Sequence, residues 1–272
     1  MPFQSNLSDT AARKWFSLPK PSASAKLRLF CLPHAGSGAN IFYRWHRSLP
    51  ESVELCLVHL PGREHRFNER PFERMSSLTR ALGRALLPYL DVPVAFLGHS
   101  LGALVGFELC RELRREYGFE AAHLFVSGCR APQSPRIPFN LRAQPQLAGA
   151  LRRLGLDPNP SYNNAEFLEV LSPALKADFA VYESYSYASE ALLDCGISVF
   201  GGLKDHNVTH ESLKAWQGET TGPFALSMFP GGHYFIQTEE SLVLKVLSEQ
   251  LDALTGVRND AGSLLTFQDR CA

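Results

Sequence analysis

Gly98-His99-Ser100-Leu101-Gly102 is the segment with the clearest chemical content in this sequence. A serine with glycine two residues away on each side, between a short apolar run and a helical pattern, fits a sharp strand–turn–helix. Such a turn holds the serine Oγ clear of the backbone. The glycines let strand and helix approach closely, and the helix N-terminus favours developing negative charge. A serine hydroxyl is a weak nucleophile until a base takes its proton and an acid orients that base. With this turn the chain order is serine, then acid, then histidine. Asp205 closes a Gly-Gly-Leu-Lys-Asp loop and His233 closes a Pro-Gly-Gly-His loop, each after an apolar run. Ser100, Asp205 and His233 are therefore the candidate nucleophile, acid and base. Asp178 and Asp194 are alternative acids, with a solvated or capping role as the plainer account of each. Of the other histidines, His99 lies inside the turn and would point away from Ser100. His34, His59, His65 and His123 lie upstream, and His206 and His210 read as surface residues beside the acid. A developing oxyanion needs two N–H donors. The backbone of Leu101 and that of Ala35, in the glycine-rich loop 33–38, are the candidates. This chemistry calls for no metal and no cofactor.

These residues need a frame that brings them together. Apolar runs at 27–32, 53–60, 94–97, 123–126, 197–200 and 224–229 each end at proline, glycine or Ser-Gly. They lack polar alternation, which marks strands covered on both faces. Helical spacing of apolar residues fills 75–90, 101–117 and 241–254, with a shorter helix near 211–216. The alternation predicts an α/β fold, a mostly parallel central sheet flanked by helices with right-handed crossovers. Residues 135–190 break the pattern, with five prolines between Pro135 and Pro160 and helical fragments at 144–154 and 165–185. An insertion at this edge of a parallel sheet is a natural place for a helical lid, a simple helical cover being the plainer account. The expected organisation is a loose N-terminal arm at 1–25, a single domain at 26–254 and a frayed tail at 255–272.

Composition narrows the function classes. The 272 residues include 27 basic and 27 acidic ones, and 45% are hydrophobic. Such a chain is neither compositionally disordered nor a dedicated nucleic-acid binder. No uncharged apolar run reaches the ~18 residues of a membrane span. Arg13 and Lys14 fall where the apolar core of a signal peptide would lie. The expectation is a cytoplasmic protein with no membrane or nucleic-acid partner. Cys31, Cys56, Cys110, Cys129, Cys195 and Cys271 form no CxxC pair and read as structural thiols.

Taken together, the motifs resemble the type II thioesterases of polyketide and nonribosomal peptide biosynthesis, within the α/β-hydrolase superfamily. The likeness covers about residues 26–254. It rests on Leu32-Pro33-His34-Ala35-Gly36, on Leu60-Pro61-Gly62-Arg63-Glu64 followed by Arg66, and on Gly98-His99-Ser100-Leu101-Gly102-Ala103. Leu175-Lys176-Ala177-Asp178-Phe179, Tyr185-Ser186-Tyr187, Val199-Phe200-Gly201-Gly202 with Asp205, and Phe229-Pro230-Gly231-Gly232-His233-Tyr234-Phe235 extend it. The family commonly has Arg where Lys176 stands, Gly where Ser37 stands, and Pro near Gly196. None of these departures touches the three candidate catalytic residues.

The resemblance implies an α/β-hydrolase fold with a helical lid and a serine thioesterase without a cofactor. Its substrate would be an acyl thioester on the phosphopantetheine arm of an acyl or peptidyl carrier protein. Its task would be to clear stalled or misprimed groups or to release product. The chain is expected to be a monomer. Phe139, Phe167, Leu168 and Phe179 are candidates for an apolar lid floor, with core packing as the plainer account. Arg136, Arg142, Arg152 and Arg153 would offer an acidic carrier protein a basic surface. Two other readings stay open: a carboxylesterase or lipase acting on small free esters, and a non-catalytic hydrolase fold used as a binding subunit.

Overall fold

The six apolar runs become six parallel strands: β2 (Leu27–Leu32), β3 (Val53–Val58), β4 (Val94–His99), β5 (His123–Ser127), β6 (Gly196–Gly202) and β7 (Phe224–Phe229). The computed structural model describes residues 14–134 and 165–256, with side chains described from residue 173 onward in the second stretch. A two-residue strand, β1 (Phe16–Ser17), runs antiparallel to β3, pairing Phe16 with Val58 and Ser17 with Leu57. The sheet order is β1-β3-β2-β4-β5-β6-β7. Within the loose arm expected at 1–25, the described part is tied to the sheet. Phe16 is buried and packs edge-on against Phe30 and Tyr89, with ring centroids 5.1 and 5.2 Å away. That burial anchors a segment whose local sequence, bounded by Pro19 and Pro21, carries no strand signal.

Alternate residues of each central strand feed opposite cores, which is why the runs look uniformly apolar. Phe30, Leu32, Phe96, Leu124, Ile197 and Val199 face one side. There they meet α1 (Met75–Leu86) and α2 (Leu101–Tyr117). Leu29, Cys31, Leu55, Leu57, Leu97 and Phe125 face the other. Phe42 and Trp45 from a 3-10 helix at Ala39–Arg47 cover them, with Val243, Leu247 and Leu251 from α6 (Glu240–Thr255). The sequence pattern did not anticipate the Ala39–Arg47 turn.

Helix ends follow local chemistry. The helical spacing at 75–90 splits because α1 passes into a 3-10 turn at Leu87–Tyr89, where Pro88 has no N–H to continue the ladder. α2 stops at Gly118, whose φ of 62° only glycine adopts readily, and its N–H returns to the Arg114 carbonyl. Further along lie α3 (Ala165–Ser184), α4 (His210–Lys214) and α5 (Phe235–Thr238). The α3 helix matches the fragment expected at 165–185. The fragment expected at 144–154, the four lid arginines, Phe139, Cys271 and the proposed tail beyond Gly256 lie outside the described residues. So do the side chains of Phe167 and Leu168. Cys31, Cys56, Cys110, Cys129 and Cys195 are buried, and none forms a disulfide among the described residues. Burial raises the Cys195 thiol to about 11. No helix among the described residues is long and apolar enough to cross a membrane.

The strand order locates the site. From β2 the chain moves outward to β3, then returns past β2 to form β4. The loops leaving β2 and β4 therefore diverge at their C-terminal ends, opening a crevice where ligands of such sheets bind. Loop 33–38 and Ser100 both lie at that point.

Candidate active site

Ser100 has φ 54° and ψ −116°, a conformation that non-glycine residues rarely adopt. It is imposed by how tightly β4 turns into α2. A Cβ on Gly98 would sit 2.2 Å from the Gly102 carbonyl, and one on Gly102 would sit 2.3 Å from the Leu32 carbonyl oxygen. Both glycines of the motif are thus required by close backbone approach. The Ser100 N–H donates to the Ser127 carbonyl at 2.8 Å, tying the turn to β5. Leu101 then opens α2, where the first backbone N–H groups have no intrahelical acceptor.

The acid and the histidine come from two loops zipped together by backbone hydrogen bonds. The Leu203 N–H donates to Phe229 O, and the Lys204 N–H to Gly231 O, each at 2.8 Å. Gly231 turns at φ 92°. A Cβ on Gly202 would lie 2.4 Å from the Gly232 carbonyl oxygen, so here too glycine permits contact. His233 Nδ1 donates to Asp205 Oδ2 at 2.6 Å, and the Asn207 N–H donates to Asp205 Oδ1 at 2.9 Å. His233 Nε2 stands 3.1 Å from Ser100 Oγ, which donates to it. An ionised Asp205 fixes this tautomer, leaving Nε2 free to take a proton. Asp205 and His233 are both buried.

The rival candidates fall elsewhere. The Asp178 carboxylate is occupied by Arg63, and exposed Asp194 accepts from Thr221 Oγ1 at 3.0 Å. His123 Nε2 meets Ser198 Oγ at 2.8 Å within the sheet, and burial lowers it to about 4. His59 bridges Ser17 and Glu64 at the outer edge of the sheet. His206 and His210 are exposed.

A cleft of about 70 Å³ opens over Ser100. Ala35 and Leu101, the two candidate oxyanion donors, line it with Phe179, Tyr182, Arg130 and His34. Phe179, expected as part of an apolar floor, thereby lines the cleft over Ser100. His34 was passed over in sequence as merely upstream. Its position directly after β2, at the crevice, is the signal that marks it. Burial drives the His34 imidazole down to about 4 despite a hydrogen bond to the Ala35 carbonyl, and neighbouring His233 lowers it further. Burial likewise takes His99 well below its usual range, with His233 and His34 adding to the effect. The His99 ring lies 5.1 Å from that of His233, and His34 stacks edge-on against His99. His233 therefore has as neighbours two imidazoles that burial keeps neutral.

A strained serine at a helix N-terminus, an oriented imidazole and two candidate backbone donors around one cleft suit acyl transfer through a tetrahedral intermediate. Known proteins agree. A family model described as a thioesterase domain matches residues 27–251. The gramicidin S biosynthesis protein GrsT of Aneurinibacillus migulanus is 39% identical over 240 residues, covering 88% of this chain and 94% of that protein. Thioesterase PikA5 of Streptomyces venezuelae is 33% identical over 240 residues, 87% of this chain and 85% of that one. The solved structure of BorB, a type II thioesterase from the borrelidin biosynthetic cluster, aligns with a TM-score of 0.79 at 31% identity, covering 87% of this chain and 97% of that chain. The fold is that of the α/β-hydrolases, and the chain belongs to the thioesterase domain family, hydrolases of thioester bonds.

Proposed function

We propose that this protein hydrolyses acyl thioesters held on the phosphopantetheine arm of an acyl or peptidyl carrier protein in polyketide or nonribosomal peptide biosynthesis. It would clear stalled or misprimed groups or release product. The observation that carries this reading is the Ser100–His233–Asp205 relay, with separations of 3.1 and 2.6 Å, at a strained turn beneath the cleft. His233, oriented by Asp205, takes the Ser100 proton as Oγ attacks the thioester carbonyl. The oxyanion accepts hydrogen bonds from the backbone of Leu101 and Ala35. Collapse of the intermediate breaks the C–S bond; the thiol leaves with the proton from His233, and the acyl group stays on Ser100 as an ester. Water, deprotonated by the same imidazole, then releases the acid.

The biosynthetic names of GrsT and BorB support the carrier-bound substrate over free esters. In this reading the enzyme acts as a cytoplasmic monomer that meets its carrier protein transiently. The discriminating experiment compares one acyl group presented as a carrier-protein thioester and as a p-nitrophenyl ester. The expected result is a higher kcat/KM for the thioester. A strong preference for the free ester would overturn the proposal.

A further inference from the structure

The Leu60-Pro61-Gly62-Arg63 segment marks the sequence, yet none of these residues lines the cleft over Ser100. Arg63 reaches inward instead. It and Asp178 are only 5% and 4% exposed. They meet in two parallel charged hydrogen bonds, Nη1 to Oδ2 and Nη2 to Oδ1, each 2.7 Å. Both partners also grip the loop that follows Ala35. Asp178 Oδ2 accepts the Gly36 N–H at 2.7 Å, and Arg63 Nη1 donates to the Ser37 carbonyl at 3.1 Å.

The same contact joins the loop to α3. Gly36 has φ 74°, and a Cβ there would lie 2.7 Å from Leu175 Cδ1 on α3. Asp178 is on α3, and the next residue, Phe179, lines the cleft. A buried ion pair adds little net stability over a well-packed apolar pair, because both charges must leave water. What a two-pronged pair supplies is direction, since two planar groups in register fix each other and whatever they hold. Here they hold the N–H of Gly36, which belongs to the peptide link that follows Ala35, and the carbonyl of Ser37, one residue further on.

We propose that Arg63 and Asp178 are a positioning pair. They set the Ala35 N–H against Ser100 and couple that donor to helix α3. A shift of α3 that carries Asp178 away takes the hydrogen bond from Gly36 with it, so the helix and the oxyanion donor move together. This inference rests on the reading of Ala35 as a donor.

The test uses the full chain and a short-chain acyl thioester of N-acetylcysteamine. Asp178→Asn keeps the shape and removes the charge. It is expected to lower kcat by about 10- to 100-fold, the scale of a misplaced donor, with KM within about twofold. The Gly36 amide proton should shift upfield and lose exchange protection. Arg63→Met/Asp178→Leu removes both charges together and guards against a folding failure of the single variant. It is expected to show the same kcat loss at near wild-type Tm. Ala35→Pro removes the donor itself, and adding Asp178→Asn to it should cost nothing further. Wild-type kcat in the double-apolar variant, or losses that simply add to that of Ala35→Pro, would overturn the positioning role while leaving Ala35 as donor. Full kcat in Ala35→Pro would overturn the donor reading, and the proposal with it.

Discussion

Two serine–histidine–carboxylate relays stand among the described residues, and hydrogen-bond lengths alone do not tell them apart. In one, Ser100 Oγ is 3.1 Å from His233, which is 2.6 Å from Asp205. In the other, Ser17 Oγ is 2.7 Å from His59 Nε2, and His59 Nδ1 is 2.7 Å from Glu64 Oε2. Their surroundings separate them. Ser100 caps a helix in a strained turn and faces a cleft lined by two candidate oxyanion donors. Ser17 lies in an extended edge strand paired with β3. Glu64 is engaged elsewhere as well, since its Oε1 accepts the Asn40 N–H at 3.1 Å at the start of the Ala39–Arg47 turn. Burial alone would raise this carboxyl, but the hydrogen bonds from His59, Asn40 and Ala39 outweigh it and hold its pKa down. The second relay is a staple joining β1, β3 and that turn. A proton relay is thus not a catalyst by itself. What distinguishes the first is a place beside the nucleophile for developing negative charge.

Substitutions can break or sharpen this contrast. Ser100→Ala should lower thioester turnover by at least about 10⁴-fold, measured as thiol release, whereas Ser17→Ala should leave kcat unchanged. Asp205→Asn leaves the imidazole in the wrong tautomer and should cost about 10³-fold or more in kcat. An effect below tenfold would mean that His233 needs no orienting acid.

Two buried histidines, His34 at the cleft and His123 within the sheet, give a pH signature. His34 and His123 have folded pKa values near 4 against 6.5 for a free side chain. Between these values the unfolded chain binds protons that the folded chain does not, so stability rises with pH. Their contribution is complete above about pH 6.5 and is lost as pH falls toward 4, by up to about 3 kcal/mol for each group. Urea unfolding across this window should show that slope, and His34→Asn should flatten it. At the staple, Glu64→Ala should cost about 2 kcal/mol, since it leaves His59 Nδ1 and the Asn40 N–H without their carboxylate partner. Ser17→Ala should cost about 1 kcal/mol. Thermal or chemical unfolding reads both.

Burial on both faces made the central sheet legible in sequence, because strands such as β3 and β4 have no polar side to hide them. The positions of Ser100, Asp205 and His233 were legible because each follows such a run at the same end of the sheet. β1 was not, since Phe16 becomes a strand residue only by packing on Phe30 and Tyr89. Nor was the ion pair of Asp178, read as a spare acid. Its partner Arg63 is 115 residues away, and no local pattern announces a contact of that range. The staple escaped notice for the same reason, with Ser17 and His59 separated by 42 residues.

The central claim is that chemistry passes through Ser100 and not through the similar relay at Ser17. Peptide mass spectrometry of enzyme quenched during turnover of a slowly hydrolysed carrier-protein thioester tests it most directly. The account predicts an acyl adduct on the peptide containing Ser100, absent in Ser100→Ala and retained in Ser17→Ala. An adduct on Ser17, or full turnover with the Ser100 hydroxyl removed, would contradict it.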